Sequence, residues 1–154
     1  MKLFLAISAL VFSINTYAAP AVGDAVYFTG TWGSDSITQH ISFTGFDSAS
    51  QQFTQVTTTT IGSAAPATQT DLVAYNDTAS DAALTEIINT CTARSGTPET
   101  ITVPAGTFRT CKMLLSGNWF WIAEVPFAVA RVEATIDGKA LVAVLSGVSR
   151  GSNP

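Results

Sequence analysis

Val129-Ala130-Arg131-Val132-Glu133-Ala134-Thr135-Ile136-Asp137-Gly138-Lys139-Ala140-Leu141-Val142-Ala143-Val144-Leu145 is two alternating runs joined by Asp-Gly. Such a dipeptide between period-two runs is a strong hairpin signal, because a type I′ turn needs positive φ at both central residues. A two-residue loop pairs Ile136 with Lys139, Ala134 with Leu141 and Val132 with Ala143. Val132, Ala134, Ile136, Leu141, Ala143 and Leu145 then share a core face, with Arg131 and Glu133 on the other.

Working back from this hairpin, the chain reads as more strands separated by turn chemistry. Trp119-Phe120-Trp121-Ile122 is apolar on both faces and reads as a strand covered on both sides, after a turn at Gly117-Asn118. Phe108 to Leu115 and Thr100 to Val103 read as strands around a turn or bulge at Pro104-Ala105-Gly106. Nearer the N-terminus, Ala25 to Thr29 is strand-like. Ser36 to Phe46 alternates, with Ile37, Ile41 and Phe43 on one face and Thr38, His40 and Ser42 on the other. Asp47-Ser48-Ala49-Ser50 turns it into the Thr-rich run Gln52 to Ile61, giving a long hairpin with one wet face. Gln69 to Tyr75 reads as a further strand, and Ser149 to Pro154 as a frayed tail.

The period changes only once. Leu84, Ile87, Ile88 and Cys91 fall at helical spacing, with Thr78 and Asp81 resembling a capping box, Ser80 an alternative N-cap, and Gly96 beyond the C-terminal end. The expected fold is mainly β (α+β): an antiparallel curved sheet or half-barrel with one amphipathic helix near 80–92. An eight-stranded outer-membrane barrel fits the length, but the helix, the cysteine pair and the polar Ser-Asn-Pro end argue against it.

Met1 to Ala18 reads as a secretory signal peptide, with Lys2 at the positive end, an apolar run from Leu3 to Phe12 and small residues before the cleavage point. The run is shorter than the roughly 20 residues that cross a hydrocarbon core. Cleavage is expected after Ala18, or after Ala19, leaving a single β-rich domain over 19–154 in the periplasm or outside the cell. No cysteine follows the cleavage point to take a lipid. The chain carries 7 Lys and Arg against 11 Asp and Glu, a net charge of −4. A sparse, acidic balance argues against nucleic acid and against anionic lipid surfaces, which need clustered cations. No stable membrane insertion is expected.

Cys91 and Cys111 are the only two cysteines, and in an oxidising compartment an even pair reads as a disulfide. It would staple the helix to the sheet. A metal reading is poorer, since His40 is the sole histidine and the spacing is not CxxC. His40 is likewise the only residue that could serve Ser-His-Asp chemistry, and it falls on a polar strand face. Asp71, Asp77 and Asp81 lack the spacing of a calcium loop and read as turn and cap residues. The expectation is no enzyme, no cofactor and no metal. The aromatic residues are the more informative group. Trp32, Trp119 and Trp121 could line a concave sheet and hold a lipid, sugar or peptide, the alternative being that they are core.

Val103-Pro104-Ala105-Gly106-Thr107-Phe108, Cys111-Lys112, Val125-Pro126-Phe127, Glu133 and Gly138 resemble a pattern in a group of exported bacterial proteins defined by a domain of unknown function. The resemblance covers about residues 99–147. It implies a mostly antiparallel curved sheet or half-barrel with one helix, similar in outline to lipoprotein carriers of the LolA type, and carries no catalytic residues. This chain has Ala128 where the pattern has Gly after Val-Pro-Phe. If that Gly serves a special backbone angle, the bend here is expected to be made differently. These features together suggest an exported binding or carrier module for a small apolar ligand. The rival reading is a structural or interaction protein of the envelope that offers hairpin 36–61 as an edge to a partner protein.

Overall fold

Asp137 and Gly138 take φ of 52° and 75°, the two positive values a type I′ turn requires. The strands they join pair in the register the sequence dictates: Ile136 with Lys139, Ala134 with Leu141, Val132 with Ala143. The computed structural model describes residues 20–151; the signal-peptide reading of Met1 to Ala18 lies outside them. The strands are β1 (Ala25–Trp32), β2 (Asp35–Asp47), β3 (Gln52–Ile61), β4 (Ala67–Ala74), β5 (Thr97–Val103), β6 (Gly106–Leu115), β7 (Asn118–Ile122), β8 (Val129–Ile136) and β9 (Lys139–Ser149). The helix α1 (Asp81–Asn89) separates β4 from β5. All nine strands form one antiparallel sheet in the order β4-β3-β2-β1-β9-β8-β7-β6-β5. The protein is thus mainly β, and the sheet is open, with β4 and β5 at its edges.

Alternation sorts the side chains into an inner and an outer face. Val26, Phe28, Ile41, Ile122, Val132, Leu141 and Leu145 are fully buried, as are Leu84 and Ile87 of α1. Helix α1 lies against β6 and β7, buries Ala83, Leu84, Ile87 and Ile88, and leaves Thr85, Glu86 and Asn89 exposed. Its N-cap is Ser80, whose Oγ accepts from the Ala83 N–H. Thr78, the residue the capping-box pattern favours, instead donates its hydroxyl to the Tyr75 carbonyl and closes the preceding turn. The Cys91–Cys111 disulfide is formed, tying the end of the helix to β6. Gly96 passes directly over it.

The Thr-rich hairpin departs from a simple wet-and-dry pattern. β2 and β3 pair from Ile37 with Ile61 to Asp47 with Gln52, and Ile37, Ile41, Phe43 and Phe53 are buried. The same face, however, also buries Gln39, Gln55, Thr57 and Thr59. Gln39 Nε2 donates to Thr59 Oγ1 at 3.0 Å, so part of this polar stripe satisfies itself across the strands. At the C-terminus, the chain expected to fray from Ser149 is held to the end of the described residues. Arg150 pairs with Asp81 at 3.0 Å and the Gly151 N–H donates to Asp24 Oδ1 at 2.9 Å. Among the described residues, no helix is long and apolar enough to cross a membrane.

Candidate functional site

The outer face of β6, β7 and β8 concentrates the aromatic and charged side chains. Ser116 and Gly117 turn β6 into β7 with φ of 51° and 82°, which sets Leu114 opposite Trp119 and Lys112 opposite Trp121. β8 then sets Glu133 opposite Trp119 and Arg131 opposite Trp121. On the far side of β6, Glu99 of β5 lies opposite Thr110 and reaches the Trp121 indole N–H, which donates to its carboxylate. Two cations, two carboxylates and two indoles thus meet on one patch.

The two tryptophans have different fates within it. The Lys112 ammonium sits 4.8 Å from the Trp119 ring centre and 4.7 Å from that of Trp121, and the Arg131 guanidinium lies 4.8 Å from the Trp121 ring. Cations over indole faces are attracted by the ring quadrupole. Arg131 also pairs with Glu133. Enclosed by Lys112, Arg131 and Glu99, Trp121 is only 4% exposed, whereas Trp119 is 39% exposed beside the still more open Leu114. The strand expected to be covered on both sides is therefore covered on its outer face by charged side chains, closely over Trp121 and only in part over Trp119.

Trp32 does not belong to this group. Thr31, Val142, Glu133 and Trp119 are successive cross-strand partners and share the outer face. Trp32 follows Thr31 and so points to the inner side, paired with the core residue Leu141. Its indole N–H donates to the Ile136 carbonyl at 3.3 Å, with Lys139 Nζ 4.3 Å from its ring. The structure brings Trp119 and Trp121 together and sets Trp32 on the opposite side as part of the core margin.

The other candidates are dispersed. His40 stacks on Tyr27, its partner on β1, with ring centres 4.4 Å apart. Asp71 accepts from Gln69 on β4, Asp77 lies in a short 3₁₀ turn, and Asp81 opens α1. Hairpin 36–61 is not an edge: β2 is flanked by β1 and β3, and β3 by β2 and β4. The exposed edge on that side is β4.

Lys112, Glu99, Leu114, Arg131 and Glu133 are the site residues that sequence reasoning missed, although it set Arg131 and Glu133 on the face away from the core. A turn at Gly117-Asn118 would have set Lys112 opposite Ala123; the turn at Ser116-Gly117 sets it opposite Trp121. Moving the turn by one residue shifts every cross-strand partner by two, which keeps the faces but changes each neighbour. Preferring Ser-Gly as the positive-φ pair would have found it. No protein-family model matches the chain, and no curated protein matches it in sequence.

Proposed function

We propose that this protein is an exported binding module that holds a small ligand on the outer face of β6–β8, with Trp119 as its stacking platform. The observation that carries the reading is the contrast between the enclosed Trp121 and the open Trp119 on one face. A large apolar ring held by neighbouring charges but left open to solvent suits a ligand with a flat apolar face and a polar rim. A sugar ring has that chemistry: its C–H face would lie on Trp119 and Leu114, and its hydroxyls would reach Glu133 and Lys112. Export to the periplasm or beyond rests on the Met1–Ala18 pattern, and the Cys91–Cys111 disulfide supports it.

A half-barrel outline, as the C-terminal resemblance implies, is supported by one backbone bond. The Ala105 N–H in the β5–β6 turn donates to the Leu145 carbonyl of β9 at 3.2 Å, although three strands stand between β5 and β9 in the sheet. The Val-Pro-Ala-Gly part of the motif is a turn that rests on β9, which favours a structural role for it.

Tryptophan fluorescence of the mature protein, titrated with a panel of neutral oligosaccharides, tests the reading. Binding should change the emission, and Trp119→Ala should weaken it about tenfold, ~1.4 kcal/mol, with an unchanged unfolding midpoint. Equal affinity of Trp119→Ala and the parent protein, or no saccharide binding at all, would refute it.

A further inference from the structure

The two edges of the sheet are unlike. An edge strand presents alternate backbone N–H and C=O groups that only another extended strand can satisfy in full. β5 carries Pro98, which has no N–H to offer. β4 carries no proline, lysine or arginine, and pairs with β3 without a bulge from Thr59 opposite Ala67 to Gln52 opposite Ala74. Its outer-face residues Thr68, Thr70 and Leu72 are exposed, Leu72 at 66%. Asp71 is its one charge and lies on the inner face, with Gln69 Nε2 2.9 Å from both carboxylate oxygens. Among the described residues, β4 has no second neighbour.

We infer that β4 is the contact through which two copies of this chain pair, antiparallel, about a two-fold axis perpendicular to the sheet. Directly opposed residues of an antiparallel pair point to the same face, so such an axis must set one residue against itself. Centring on Thr70 engages the strand from Ala67 to Val73. It places Gln69 opposite Asp71 of the partner subunit, and by symmetry Asp71 opposite Gln69 of the partner subunit. Each amide then meets a carboxylate. Thr68 faces Leu72 of the partner subunit on the outer side. Centring on Asp71 instead would oppose two carboxylates, which is destabilising. Centring on Gln69 would shorten the overlap and set Asp71 against Ala67 of the partner subunit. Pairing β4 with β5 of another copy would be heterologous and open-ended, and Pro98 disfavours it. The isologous arrangement closes at two copies. One strand pair buries less than a standard interface of ~1,200–2,000 Å², so the dimer is concentration-dependent.

Sedimentation equilibrium of the mature protein from micromolar to millimolar concentration tests this. A monomer–dimer equilibrium is expected. Gln69→Lys, which sets a cation opposite Asp71, should tighten it about fivefold, and Gln69→Asp should loosen it by a similar factor. The double variant Thr68→Lys, Leu72→Lys changes only exposed side chains and sets like charges opposite one another. It should abolish the dimer while leaving the unfolding midpoint in place. A monomer at every concentration overturns the inference. So does a dimer indifferent to these variants, or one that both Gln69 variants shift in the same direction.

Discussion

Phe127 and Ala128 take φ of 59° and 65°, values that cost a residue with a Cβ roughly 1–2 kcal/mol. The bend after Val-Pro-Phe is thus made with a left-handed residue at 128 although no glycine stands there. Local bonds hold it: the Ala128 N–H donates to the Val125 carbonyl at 3.0 Å, and the Ala128 carbonyl accepts from the Ala123 N–H at 2.9 Å. Phe127 gains a ring contact with Phe43 at 4.5 Å. Ala128 is also buried, so Ala128→Gly relieves strain but loses a methyl group worth about 0.8 kcal/mol. The two effects nearly cancel, and urea denaturation should find Ala128→Gly within ~1 kcal/mol of the parent. Ala128→Val brings a β-branch to a crowded positive-φ site and should cost at least ~2 kcal/mol. Equal stability of the two variants would show that no strain is held there.

At the scale of elements, the helix and β6 are fixed to each other through the disulfide and the glycine that crosses it. A Cβ on Gly96 would stand 2.5 Å from the Cys111 sulfur and 2.7 Å from that of Cys91. Bonded sulfurs cannot move apart to make room, so Gly96→Ala should destabilise by ~2 kcal/mol or more. In a Cys91→Ala, Cys111→Ala background the two nearest obstructions are gone, leaving only the Cys91 carbonyl oxygen 3.1 Å from the added Cβ, and the penalty should shrink, a non-additivity that a double-mutant cycle in urea reads directly. A full penalty in both backgrounds would place its origin elsewhere. The disulfide closes a separation of 20 residues, a loop worth about 3 kcal/mol in the chain-entropy model. The elements themselves are largely legible in the chain. β8 and β9 follow from Asp137-Gly138 because a positive-φ dipeptide fixes register locally. The β6–β7 hairpin does not, because Ser116-Gly117 and Gly117-Asn118 are competing turns and only cross-strand packing decides between them. That one ambiguity hid the meeting of Lys112 with Trp119 and Trp121. The N-cap was similarly ambiguous between Thr78 and Ser80 until the turn closed by Tyr75 took the Thr78 hydroxyl.

In the whole molecule, the last strand is not peripheral. β9 lies between β1 and β8 in the middle of the sheet, and pairs with β1 from Trp32 opposite Leu141 to Ala25 opposite Ser149. Contacts between such distant parts of the chain must close a long loop before they gain anything, so this sheet should fold slowly and only when its C-terminus is present. A chain ending before Lys139 loses the partner of both halves and should lack β-sheet circular dichroism and protease resistance; a folded truncated chain would contradict this. By itself, the sequence determines the strand class, the helix α1, the β8–β9 register, the two faces of β2 and the cysteine pairing, because alternation, turn dipeptides and a lone cysteine pair act over short range. Only the tertiary structure decides that Trp32 lies on the opposite face from Trp119, that Trp121 is closed over by charges while Trp119 is open, and that β4 rather than hairpin 36–61 is the exposed edge. Those depend on strand order and on neighbours brought together from distant parts of the chain, which no local pattern encodes.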